Sequence, residues 1–125
     1  MGTAILDDHQ LVFRGYSVRW RGSVATVRQR AGAHVNGLVY ALTPADVVAL
    51  DRCEGVPLAY ERVTRLVRCW DGRRRRVHIY LMAGPLRDIA LGAAADYLAQ
   101  IRRAYARLGF DCDALARVRT AEVRT

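Results

Sequence analysis

From Arg62 to Leu81 the chain alternates apolar residues with arginines on both sides of the dipeptide Asp71-Gly72. Period two sends successive side chains to opposite faces of an extended strand. An Asp-Gly pair between two such runs is a strong short-range signal for a tight hairpin. The spacing therefore predicts antiparallel strands over residues 62–70 and 74–81, with Val63, Leu66, Val67, Val77, Ile79 and Leu81 available for a core. A ribbon of this kind is marginal alone and needs further strands or a covering helix.

The rest of the chain supplies both. Residues 10–17 set Leu11, Phe13 and Gly15 against Val12, Arg14 and Tyr16, and residues 24–30 and 35–42 alternate likewise. Gly32, within Arg30-Ala31-Gly32-Ala33-His34, predicts a turn that makes those last two segments a hairpin. Thr43-Pro44-Ala45-Asp46 predicts a helix start, with Thr43 as cap and Pro44 at the first helical position, where a missing N–H is harmless. This helix turns Val47 and Leu50 inward, with Val48 at the margin, and stops at Gly55. Residues 82–89 read as a loop around Gly84-Pro85. From residue 93 to 108, Ala94, Tyr97, Leu98, Ile101, Ala104, Tyr105 and Leu108 recur at threes and fours, the pattern of an amphipathic helix on a sheet, and Gly109 ends it. A short last helix is expected at 113–118, with a loose tail after Arg119.

A mass of 14.0 kDa with 52% hydrophobic residues predicts one globular domain over residues 1–125, and the strands and helices read above make its class α+β. No basic segment followed by an apolar run opens the sequence, and no stretch approaches the roughly 18 apolar residues of a membrane span. The expectation is a soluble cytoplasmic protein with no membrane partner. Cys53, Cys69 and Cys112 are odd in number and lack any Cys-x-x-Cys pair or histidine companion, which predicts free thiols and no metal site. A net charge of +8 would ordinarily suggest a nucleic-acid partner. Yet all 20 basic residues are arginine, a skew typical of coding bias, and the densest run, residues 73–76, follows the Asp71-Gly72 turn. A solvated face is expected there and no nucleic acid. His9 is assigned to an exposed start, His34 to a turn and His78 to a strand surface, and none to catalysis.

Candidate chemistry concentrates at Leu50-Asp51-Arg52-Cys53-Glu54-Gly55-Val56-Pro57, followed by Tyr60 and Arg62. Of three glutamates, only Glu54 precedes a Gly-Val-Pro turn that would end the helix and fix the direction of the carboxylate. An acid held in this way can shuttle a proton, and partial burial behind Leu50, Val56 and Pro57 would raise its pKa towards neutrality. The plainer reading is a helix-terminal acid paired with Arg52 or Arg62.

Together with Trp20-Arg21-Gly22-Ser23-Val24-Ala25-Thr26, Val35-Asn36-Gly37-Leu38-Val39-Tyr40-Ala41-Leu42 and Ile79-Tyr80-Leu81, this motif resembles the gamma-glutamylcyclotransferase-like family. The resemblance runs from the first strands through the Tyr97 helix to Gly109. It implies a small, mostly antiparallel β-barrel flanked by helices. The implied activity is cyclisation of a gamma-glutamyl amide to 5-oxoproline with release of the amine, needing no cofactor. Glu54 falls on the position of the family's acid/base. Tyr60, Tyr80 and Tyr97 fall on tyrosines near the pocket, and Gly55 joins them as a substrate-binding candidate. Family members open with a strand ending in Tyr-Gly-Ser-Asn, whose N–H groups hold the anionic end of the substrate. This sequence contains no such segment, and Met1-Gly2-Thr3-Ala4-Ile5-Leu6 aligns with the family's next strand. The chain is thus expected to be N-terminally short relative to the family. The missing strand could be encoded upstream of this start, or a homodimer or a partner could complete it, and Arg14 or Arg19 could bind a carboxylate. The runner-up reading is a non-catalytic relative that binds a small anionic ligand or a protein partner in the remnant pocket.

Overall fold

The structure, a computed structural model, describes residues 2–17, 19–112 and Leu115. Four strands and two helices follow one another as β1 (Gly2–Ser17), β2 (Gly22–Val39), α1 (Pro44–Cys53), β3 (Tyr60–Cys69), β4 (Arg74–Met82) and α2 (Ala95–Leu108), with a short 3-10 turn at Pro85–Asp88. The strands form one antiparallel sheet in the order β2-β1-β3-β4. The α+β expectation holds, and the sheet is open, with β2 and β4 as its outer strands, rather than a closed barrel.

The predicted hairpin at Asp71-Gly72 is present, with Val63 opposite Ile79 and Val67 opposite Arg75. Gly72 takes the left-handed φ of 80° that the turn requires, and the Cys69 N–H closes the ribbon on the Arg73 carbonyl at 2.8 Å. Ala4 of β1 pairs with Cys69, which adds the third strand.

The predicted turn around Gly32 is not a turn. Residues 22–39 form a single strand, β2, in which Gly32 has a φ of 81°. A glycine in that region is equally the mark of an irregularity inside a continuous strand. Its counterpart lies on β1, where Asp8 has a φ of 57° and its Oδ1 accepts the Gly32 N–H at 3.0 Å. His34 therefore sits on a strand, exposed to solvent.

The chain forms two compact units: Met1–Leu11 with Val27–Gly84, and Val12–Thr26 with Pro85–Thr125. In the first, Ala4, Leu6, Val67 and Cys69 make the core, and Val27, Val35, Val39, Val77 and Ile79 pack against it. Leu66, expected in the core, is 52% exposed because it lies on the opposite face of β3 from Val67. His9, expected at an exposed start, is buried, and its Nδ1 lies 2.8 Å from the Asp7 carbonyl. In the second unit, α2 buries Leu98 and Tyr105, two of the predicted inward positions. Gly109 ends the helix at a φ of 75°. Fully buried Ser23 ties this unit together: its Oγ donates to the Gly15 carbonyl at 2.7 Å and accepts the Leu91 N–H at 3.0 Å. The helix expected at 113–118 and the tail lie outside the described residues, apart from Leu115, which is fully buried. Among the described residues no helix is long and apolar enough to cross a membrane.

Candidate functional site

Helix α1 carries the candidate acid, and both of its ends are set by local chemistry. At the start, the Thr43 hydroxyl accepts the Asp46 N–H at 3.1 Å while the Asp46 carboxylate accepts the Thr43 N–H at 3.0 Å. This reciprocal pair satisfies two N–H groups that a helix start leaves orphaned, and Pro44 occupies the first turn as predicted. At the other end Glu54 is the cap residue, with φ −85° and ψ −3°. Gly55 follows at a φ of 65°, where side-chain-bearing residues are strained.

The turn after Gly55 is tightly bonded. The Val56 N–H returns to the Asp51 carbonyl at 3.0 Å, and the N–H groups of Leu58 and Ala59 both reach the Gly55 carbonyl at 2.9 Å. The peptide between Val56 and Pro57 is cis. Glu54, at the start of this turn, is half-buried.

The plainer alternative, a Glu54 paired with Arg52 or Arg62, is not what the structure shows. Arg62 instead binds Asp51, its Nε lying 3.0 Å from Oδ1. Tyr80 donates its hydroxyl to the same oxygen at 2.7 Å. Arg62 and Tyr80 are cross-strand partners of β3 and β4, so their side chains share one face of the sheet and reach the end of α1 together. Among the described residues the Glu54 side chain has neither an ion pair nor a hydrogen-bond partner. One acid of the helix end is neutralised and the other is left available.

The cluster also alters the phenol. Partial burial, followed by the hydrogen bond to Asp51 and the charge of that carboxylate, pushes the Tyr80 pKa up to about 12. The negative charge of Glu54 adds to the shift and the Arg62 guanidinium opposes it. The phenol is therefore a fixed neutral donor through the physiological range. Asp51 was missed by the sequence reading. Its signal was its place one helical turn before Glu54, a spacing that puts both carboxylates on the same side of α1.

The remaining candidates are placed differently. Gly55 shapes the turn. Tyr60 opens β3 opposite Met82 and is half-buried. Tyr97 belongs to the second unit, where its phenol oxygen accepts the Ala25 N–H at 2.8 Å and its ring meets Phe13 and Trp20 edge to face at 6.0 and 5.1 Å. Burial raises its pKa. Arg14 donates to the Phe13 carbonyl, and Arg19 lies over the Trp20 ring. Within the first unit, Arg62 and Tyr80 stand at the margin of a groove of about 800 Å³ between α1 and the sheet. A smaller cavity of about 450 Å³ near Asp7 and His34 offers less, because Arg68 binds Asp7 through two bonds of 2.6 and 2.9 Å and Asp8 is held by Gly32. Among the described residues no three of His, Cys, Asp and Glu gather into a metal-binding group.

Comparison with known proteins adds to this geometry. The sequence model of the family "Gamma-glutamyl cyclotransferase, AIG2-like" matches residues 1–99. No curated protein matches the chain. A solved structure named gamma-glutamyl cyclotransferase superposes with a TM-score of 0.87 at 22% identity, covering 100% of this chain and 77% of that one. The uncharacterized protein loc79017 from Homo sapiens gives 0.86 at 23%, with the same coverages. YkqA from Bacillus subtilis gives 0.74 at 20%, over 91% of this chain and 40% of that one. At such identities the structural likeness speaks for the fold.

Proposed function

This chain belongs to the gamma-glutamyl cyclotransferase, AIG2-like family, and from that premise we propose that it cyclises a gamma-glutamyl amide to 5-oxoproline, with Glu54 as the general acid/base. The observation that carries the reading is the unpartnered Glu54 carboxylate beside an Asp51 already bound by Arg62 and Tyr80. A proton carrier must be free to accept and release, and a carboxylate locked to a guanidinium is not.

The reaction asks little else of the protein. The α-amino nitrogen of the substrate attacks its own γ-carbonyl carbon, forming the ring C–N bond as the carbonyl electron pair moves to oxygen. Glu54 takes the proton released by that nitrogen. As the intermediate collapses, the original amide C–N bond breaks and Glu54 returns the proton to the departing amine. Attack within one molecule can reach effective molarities of roughly 10⁵ to 10⁸ M, so no enzyme nucleophile is required. A positioned acid/base contributes about 10² to 10⁴ in rate. Asp51 supports this by holding Arg62 and Tyr80, which would otherwise compete for Glu54.

The test is 5-oxoproline release from a panel of gamma-glutamyl amides, measured for the parent chain and for Glu54→Gln. Release by the parent that falls by about 10² or more in the variant supports the reading. Equal release by both, or none by the parent from any amide, overturns it.

A further inference from the structure

The two outer strands of the sheet line one groove. The space of about 800 Å³ is bounded by Leu38 and Val39 of β2, by the run from Arg75 to Tyr80 on β4, and by the inner side of α1. On β4, the last strand of the sheet, no further strand pairs with the outer side among the described residues, and such an edge is a template for another strand.

Among the described residues the lining is left partly open to solvent. Leu38, Tyr40, Leu42 and Val48 all line the groove and are 39, 58, 47 and 54% exposed. Helix α1 buries none of its residues, although a helix of ten residues gains most of its stability from packing an apolar face. Something apolar belongs in this space.

The two faces of β4 say what kind of segment fits. Val77 and Ile79 pack, with Val39, against the core of their unit. Arg76 lies opposite Leu66 and shares the other face with Arg62 and Tyr80. Arg62, Arg75 and Arg76 line the groove, and among the described residues no aspartate or glutamate does. Asp51 and Asp71 pair with the first two, while Arg76 has no ion pair among the described residues.

We propose that this groove is a strand-addition site for an extended segment of a partner protein in which apolar and acidic residues alternate. A strand laid about 4.8 Å from β4 would continue the Val77 and Ile79 layer with every second side chain and set the others, as carboxylates, near Arg76 and His78. The groove-lining run of β4 from Arg75 to Tyr80 would span roughly 20 Å in extended form, the length of an ordinary strand. Main-chain bonds supply affinity in this mode, and alternate side-chain pockets supply specificity. A second copy of the chain is a poorer occupant, since two bodies of charge +8 repel. The proposal stands apart from the cyclotransferase reading, because it rests on Arg76 and Tyr40 rather than on Glu54.

The test uses an end-capped, fluorescein-labelled peptide of about eight residues alternating valine and glutamate, with a valine–lysine peptide as control. The expected result is binding of the acidic peptide at least about tenfold tighter than the control. Hydrogen-exchange protection should then be gained by backbone amides between residues 75 and 80. Arg76→Glu and Tyr40→Asp should each weaken binding about tenfold, and the neutral Arg76→Gln about threefold; unchanged circular dichroism shows that each variant folds. Four outcomes would overturn the proposal: equal affinity for both peptides, no binding up to about 1 mM, binding without protection on β4, or a stable homodimer by light scattering.

Discussion

Tyr80 and Asp51 meet across 29 positions of sequence, the phenol donating to Oδ1 at 2.7 Å, and through that bond β4 is fastened to the end of α1. The same oxygen receives Arg62. Replacing Asp51 with alanine leaves the half-buried Tyr80 hydroxyl and the more exposed Arg62 guanidinium without this partner. A loss of about 1–2 kcal/mol of stability is expected, between the value of an exposed ion pair and that of a buried charged hydrogen bond. Glu54→Gln breaks no such bond and should leave the free energy of unfolding within about 0.5 kcal/mol of the parent. Urea unfolding of the two variants side by side measures the contrast, and equal losses would contradict it.

The Tyr80 phenol has a folded pKa near 12 against an unfolded value of about 10. A raised pKa means that the stability contributed by the neutral form is complete below about pH 10 and is lost as the pH climbs towards 12. Phenolate absorbance should therefore show a late step that disappears in Tyr80→Phe. In Asp51→Asn the step should move to lower pH without reaching the unfolded value, since partial burial is the larger cause.

Gly55→Ala and Gly37→Ala should have opposite signs. At Gly55 the φ is 65° and a new Cβ would sit 3.0 Å from that of Ala59. A cost of about 1–2 kcal/mol is expected from the backbone conformation alone. At Gly37 nothing lies within 4 Å of the new methyl, so the stiffer unfolded chain should bring a gain of up to about 1 kcal/mol. Thermal unfolding distinguishes them, and a neutral Gly55→Ala would refute the account of the turn.

Tyr97→Phe removes the acceptor of the Ala25 N–H while keeping the ring among Phe13 and Trp20. The orphaned N–H should cost about 1–2 kcal/mol. The exchange rate of the Ala25 amide is the direct measure, and it should rise in the variant.

The features that could be read in advance were those written in neighbouring residues. Thr43, Pro44 and Gly55 set the bounds of α1 because capping and left-handed backbone are local matters. Asp71-Gly72 made its hairpin for the same reason. Gly32 misled because a glycine of positive φ serves a turn or a strand irregularity equally well. The deciding contact, Asp8 on the neighbouring strand, lies 24 positions away. Asp51 escaped notice because Arg62 and Tyr80 approach it only once β3 and β4 have paired. Leu66 was placed inside on the strength of its apolarity, whereas its register on β3 puts it beside Arg76 on the outer face.

The chain holds two tryptophans, and the fold assigns one to each compact unit. Trp70 lies under the Arg75 guanidinium at the β3–β4 turn, and Trp20 meets the Tyr97 ring. Each unit thus carries its own intrinsic fluorophore in a distinct electrostatic setting. Single-tryptophan versions of the protein would report the melting of either unit by emission alone, with no label attached.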